Sequence, residues 1–98
     1  PVSERKQCSD AALLRYIYRH IRYPEVARDN GIEGTVYVQF VVEKDGRLSQ
    51  VQILRGIGGG CGREVERVVA EMPVWSPGRQ RGRPVRVQFN LPVKFKLQ

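Results

Sequence analysis

Residues 83–97 read RPVRVQFNLPVKFKL, and within them Val85, Val87, Phe89, Leu91, Val93, Phe95 and Leu97 recur at every second position without a break. A two-residue period is that of a strand with one buried face, so Arg83 to Leu97 is read as one long β-strand. Arg86, Gln88, Asn90, Pro92, Lys94 and Lys96 fall between the apolar residues. They give the other face to water, as in an antiparallel sheet covered on one side only. Pro92 then sets the strand's place in the sheet: with no N–H to give, it belongs where the missing donor faces away from any neighbour, at an edge. An open edge is a row of unpaired N–H and C=O groups, which a protein covers, charges or uses to capture an extended peptide.

Outward from that strand the chain yields its other elements. Trp75 precedes Ser76-Pro77-Gly78, which suits a type II turn with glycine third, and Arg79 to Gly82 reads as a polar loop. Upstream, Val65, Val68, Val69 and Met72 mark an amphipathic helix over Arg63 to Met72, ended by Pro73. Gly56 to Gly62 is a glycine-rich linker. Gly34 to Glu43 alternates again, with Val36, Val38, Phe40 and Val42 inward, and Lys44-Asp45-Gly46 reverses the chain into Arg47 to Arg55, a β-hairpin. Ser9 or Asp10 caps a first helix from Ala11 with Leu13, Leu14, Ile17 and Ile21 as its stripe. That helix must stop near Tyr23, because Pro24 disfavours helical geometry before it, and Pro24 to Asn30 forms a short second turn. The order predicts an α+β fold: a three-stranded antiparallel sheet, spatial order 2-1-3, with two helices packed on one face and the last strand at an edge. Residues 10–98 form the domain and residues 1–9 a flexible leading segment.

Ninety-eight residues make one modest core. The chain begins at Pro1, so a longer parent carrying any signal peptide or anchor is expected. A net charge of +7 suits an anionic partner: nucleic acid, an anionic membrane surface, cell-wall polymer and an acidic protein patch all fit, as does a merely solubilising surface. Cys8 and Cys61 with a single histidine do not make a zinc site, which takes about four ligands. They either form a disulfide, stabilising by about 4 kcal/mol on the chain-entropy account, or remain two packed thiols.

No catalytic constellation is present. The glycine run lacks the Gly-Lys-Ser/Thr ending of a phosphate loop, and Gly56 and Gly58 are followed by Cys61 where the dinucleotide fingerprint needs a third glycine. His20 has no nucleophile and carboxylate set beside it in sequence, so the expected protein is no enzyme and carries no cofactor or metal. For nucleic acid, only Tyr37 offers an aromatic on the polar sheet face, so no nucleic-acid partner is expected.

The sequence resembles the C-terminal domain of the TonB energy-transducer family. Carrying the likeness are Tyr23-Pro24 with Ala27, Gly31-Ile32-Glu33-Gly34-Thr35-Val36, Phe40 with Asp45-Gly46, Val51 with Ile53-Leu54, Glu64, Met72 with Trp75, Pro77-Gly78 and the closing strand. The glycine run with Cys61 and the stretch Gln80 to Val85 look most like the Bacteroidetes-type versions. The resemblance implies a periplasmic domain, not itself membrane-inserted, anchored to the inner membrane through an N-terminal helix outside this sequence that joins the ExbB/ExbD motor. The implied partner is the TonB box of an outer-membrane transporter, added as a strand beside Arg83, Val85, Arg86, Val87, Gln88, Phe89 and Asn90, near His20, Ile21, Arg22, Tyr23 and Pro24. Arg83 and Arg86 would steer acidic partner surfaces, a Cys8–Cys61 disulfide would brace the first helix against the second, and an isolated fragment with an open edge would pair with itself by strand exchange. The same module ends sensor-type metallopeptidases and is similar in plan to the TolA terminal domain; these are the alternatives, with a basic nucleic-acid-binding α+β domain the remaining one.

Overall fold

The chain runs α1 (Asp10–His20), α2 (Glu25–Asp29), β1 (Gly34–Val42), β2 (Leu48–Arg55), α3 (Cys61–Ala70), β3 (Gly78–Gln80), β4 (Arg83–Val85) and β5 (Val87–Phe95). This is a computed structural model that describes residues 9–97. Its main sheet has the order β2-β1-β5, antiparallel throughout, so the expected 2-1-3 arrangement is present and the last strand lies at an edge.

The alternation of apolar residues becomes the core. β1 and β5 pair in unbroken register from Gly34 opposite Phe95 to Val42 opposite Val87. That register places Val36, Val38, Phe40 and Val42 on one face with Phe89, Leu91, Val93 and Phe95, all of them buried. α1 lies over β5, and α3 over β2 and β1. They add Leu13, Ile17, Val65, Val68 and Val69 to the same cluster. Each such side chain taken fully out of water contributes roughly 1.5–3 kcal/mol. Phe40 stacks on Phe89 at 5.9 Å between ring centroids, which ties β1 to the edge strand through the core as well as through the backbone.

Ser9 starts α1, its hydroxyl accepting from the Ala12 N–H at 3.1 Å. The helix ends at His20, short of Tyr23, because the Arg22 N–H is drawn to the Glu64 carboxylate of α3 at 2.8 Å. α3 begins two residues earlier than its apolar period indicates, at Cys61, and ends at Ala70.

The closing stretch departs from expectation at its start. It is two strands: Arg83–Val85 leaves the main sheet and pairs with Gly78–Gln80 in a separate ribbon, and only Val87–Phe95 continues as the edge strand. The supposed polar loop is the tip of this ribbon, where Arg81 and Gly82 both take positive φ (53° and 76°). Positive φ at both central residues is what a two-residue type I′ hairpin requires. The type II turn expected at Pro77-Gly78 does not form, since Gly78 enters β3 without positive φ. Val41, on the outer face by alternation, is nonetheless buried, with Ser49 and Gln88 as its cross-strand partners.

Candidate functional site

An antiparallel strand directs both backbone groups of each residue to the same side, alternating along the chain. The Tyr18 hydroxyl, on α1, accepts from the Lys94 N–H at 2.9 Å and reaches the Pro92 carbonyl at 3.5 Å, so the backbone groups of both residues face away from β1. Pro92 therefore stands as its chemistry demands, its absent donor on the free flank. By the same alternation Gln88 and Asn90 turn their N–H and C=O outward. No backbone or side-chain partner meets them among the described residues. The exposed flank of β5 thus offers four unpaired backbone groups from two residues, with Gln88 and Asn90 side chains solvent-facing.

The opposite edge of the sheet is unlike it. The β1–β2 register shifts twice, between Tyr37 and Val38 and between Gln39 and Val41, and Gln50 has φ 52°. Irregularity of this kind twists an edge away from further pairing. Only β5 presents a regular row.

The residues singled out by sequence fall in two groups at opposite ends of β5. Arg83 and Val85 lie in the β3–β4 ribbon, Arg86 links it to β5, and Val87, Gln88, Phe89 and Asn90 begin the edge strand. Val87 and Phe89 point into the core. Tyr23 packs edge-on to Phe95 at 5.5 Å and gives its hydroxyl to the Ile32 carbonyl, at the far end of the strand. The span between the ends is roughly 26 Å at the usual rise per residue. His20 and Arg22 meet α3: the Arg67 guanidinium approaches the His20 carbonyl at 3.5 Å, and both residues line a shallow cavity of about 440 Å³ with Glu64 and Arg67. Ile21 and Pro24 are half-buried beside them. The structure therefore does not gather the two groups into one pocket; β5 connects them. Tyr18, which caps the flank between, was not among the residues the sequence brought forward.

Charge is concentrated at the Val87 end. Arg79, Arg81 and Arg83 stand on the ribbon with Lys44 of the β1–β2 turn nearby, and Lys44, Arg81 and Arg83 line one open concave surface. None of these four has an ion-pair partner among the described residues. Arg86, by contrast, is engaged: its guanidinium grips Glu43 at 2.9 and 3.3 Å. Hydrogen bonds from Arg86 and then from the Ser49 hydroxyl hold the Glu43 carboxyl at about 2, against an ordinary 4.5. Folding lowers this pKa, so the stability it contributes is complete above the ordinary carboxylate value and is lost as pH falls toward about 2. Accordingly, thermal unfolding measured from pH 7 down to 2 should show Glu43→Gln less stable than wild type at neutral pH, with the gap closing through that acid window.

Cys61 is fully buried at the start of α3, and burial pushes its thiol above the usual range. Cys8, its expected disulfide partner, lies outside the described residues. No group of three His, Cys, Asp or Glu side chains that could hold a metal occurs among the described residues, and no helix there is long and apolar enough to cross a membrane.

Residues 19–97 match the family described as the Gram-negative bacterial TonB protein C-terminal. Over 77 residues, 79% of its length, the chain is 31% identical to Protein TonB of Vibrio cholerae, and over 77 residues, 78%, it is 32% identical to Protein TonB of Pseudomonas aeruginosa. It spans only 32% and 22% of those two proteins. Among solved structures it is similar to the NMR structure of the Pseudomonas aeruginosa TonB CTD, with 32% identity, a TM-score of 0.61, and coverage of 80% of this chain and 79% of that one. The Helicobacter pylori TonB-CTD, at 18% identity, shares its fold with a TM-score of 0.67 over 88% of this chain and 90% of that one. The chain belongs to the TonB C-terminal domain family.

Proposed function

We propose that this chain is the periplasmic force-transmitting domain of a TonB-type energy transducer, and that it captures the TonB box of an outer-membrane transporter as an added strand on the free flank of β5. The observation that carries this is the set of outward backbone groups at Gln88 and Asn90, unpartnered among the described residues, on the regular edge of the sheet. The fold is residues 10–98, with residues 1–9 as the end of a linker. An N-terminal helix beyond this sequence anchors the parent in the inner membrane and joins an ExbB/ExbD motor. The role is binding and transmission, without catalysis or a cofactor.

The energetics suit a reversible grip. Four ladder hydrogen bonds at about 1 kcal/mol each give roughly 4 kcal/mol, which by itself corresponds to millimolar binding. Side-chain contacts must supply the rest, and the backbone ladder tolerates varied partner sequences, so one domain can serve several transporters. When the added strand is pulled along its axis, its bonds are loaded together and resist as a set. Lys44, Arg79, Arg81 and Arg83, next to the Val87 end and without ion-pair partners among the described residues, raise the encounter rate with acidic surfaces, an effect screened by salt.

Isotope-labelled protein titrated with synthetic peptides from transporter N-termini should show amide shifts centred on Val87 to Leu91. Titration with DNA or RNA at moderate salt should leave those amides unmoved. Broad salt-sensitive shifts over the Arg and Lys residues with nucleic acid, and none with peptide, would overturn the proposal.

A further inference from the structure

The free flank of β5 is not open along its whole length. From outside, the Tyr18 hydroxyl accepts from the Lys94 N–H and comes within 3.5 Å of the Pro92 carbonyl, and Tyr18 stays 44% exposed, standing beside the strand rather than in the core. At the other end, Arg86 is tied to Glu43 and the chain turns off into the β3–β4 ribbon. Between these limits the open window is Val87 to Leu91.

We propose that Tyr18 is the register-determining residue of the capture site, a stop that confines an incoming strand to this window. The inference rests on the strand-addition reading above. Its physical basis is the two-residue period of a strand: a slip of one residue swaps the faces of every side chain and is resisted, but a slip of two keeps them and is not. Something other than side-chain alternation has to forbid the slip of two. Moving the visiting strand two residues toward Phe95 gives up both groups of Gln88 and meets instead Pro92, which has no N–H, and a carbonyl already approached by the Tyr18 hydroxyl. A slip of four also finds the Lys94 N–H taken, by a phenol tethered to α1 and therefore harder to displace than water. Pro92 and Tyr18 together make the window discontinuous, so a visiting strand gains backbone bonds only while it stays on the Gln88 side.

The test compares wild type with Tyr18→Phe and Tyr18→Ala. Leu13 and Ile17 anchor α1 in the core, and the phenylalanine variant keeps the ring, so it separates the hydroxyl from any packing effect. In the free protein, amide exchange of Lys94 should speed up by about tenfold in Tyr18→Phe, the factor for losing one hydrogen bond. With one fixed transporter N-terminal peptide, the amides newly protected on binding should be those of Gln88 and Asn90 in wild type and should extend to Lys94 in Tyr18→Ala. Unchanged Lys94 exchange in Tyr18→Phe, or a wild-type footprint already reaching Lys94, would overturn the stop while leaving capture on β5 intact. Absence of any footprint on β5 in all three proteins would remove the capture reading and the stop with it.

Discussion

Asn90→Pro should abolish most peptide capture, weakening it by at least about tenfold, while the domain stays folded. The N–H it deletes points to the free flank, so the ladder to β1 keeps all its bonds; Asn90 sits opposite Gln39 with its own side chain in solvent. Two residues on, Pro92 already shows that β5 accepts a proline at an outward position. The residue before a proline must be extended, and Phe89 is a strand residue already. For the visiting strand the loss is one of four backbone bonds, worth about 1–1.5 kcal/mol, with a pyrrolidine ring standing where the bond would form. Phe89→Pro is the informative contrast, because its N–H serves the β1 ladder and its ring is core, so that variant should fail to fold. Peptide titration together with thermal unfolding decides the matter. An Asn90→Pro protein that binds with wild-type affinity would mean that the partner does not add to β5.

The proline substitution is legible in the sequence because everything it depends on is local to β5: a period of two, and one residue without an N–H. The same locality explains the correct sheet order. Where the sequence reading stops short, the deciding contact spans the chain. Val85 continues the apolar alternation unbroken, yet Arg83–Val85 leaves the sheet because Arg81-Gly82 folds it back on Gly78–Gln80. An arginine with positive φ is not the asparagine or aspartate that usually announces such a turn. Arg86 has nothing in its neighbourhood of sequence to mark it as Glu43's partner, 43 positions away. Tyr18 looks like one more residue on the outer face of an amphipathic helix. Its meaning comes from the approach of α1 to β5, with 76 positions between Tyr18 and Lys94. Side-chain pattern reports which face is buried; it is silent on which distant backbone group a given side chain will meet.

Gly46 shows both halves of that statement in one residue, and Gly46→Ala should be the most damaging small substitution in the domain. Its positive φ of 86° follows from Lys44-Asp45-Gly46 as a tight reversal, closed by the Gly46 N–H on the Glu43 carbonyl at 2.9 Å. The tertiary half is that the Gly46 carbonyl accepts from the Trp75 N–H at 2.9 Å, pressing the turn against the chain that carries the largest buried side chain. A Cβ on Gly46 would stand 1.8 Å from the Trp75 carbonyl oxygen, and a backbone oxygen cannot rotate aside as a side chain can. Either the turn or Trp75 has to move, and Trp75 is held edge-on to Tyr16 at 6.1 Å, so the disturbance reaches α1. Conformational strain alone costs about 1 kcal/mol. Displacing a packed backbone brings the loss to at least about 3 kcal/mol, a large part of the roughly 5–15 kcal/mol that holds a domain folded. At 4–8 °C per kcal/mol for a domain near this size, the melting temperature should fall by more than about 12 °C. Gly82→Ala is the control, since Gly82 has similar φ (76°) but open space around the added Cβ. It carries the strain without the collision and should cost only a few degrees. Equal shifts for the two variants would show that the turn and Trp75 are not packed against each other, and that the hairpin is coupled to the core through its strands alone.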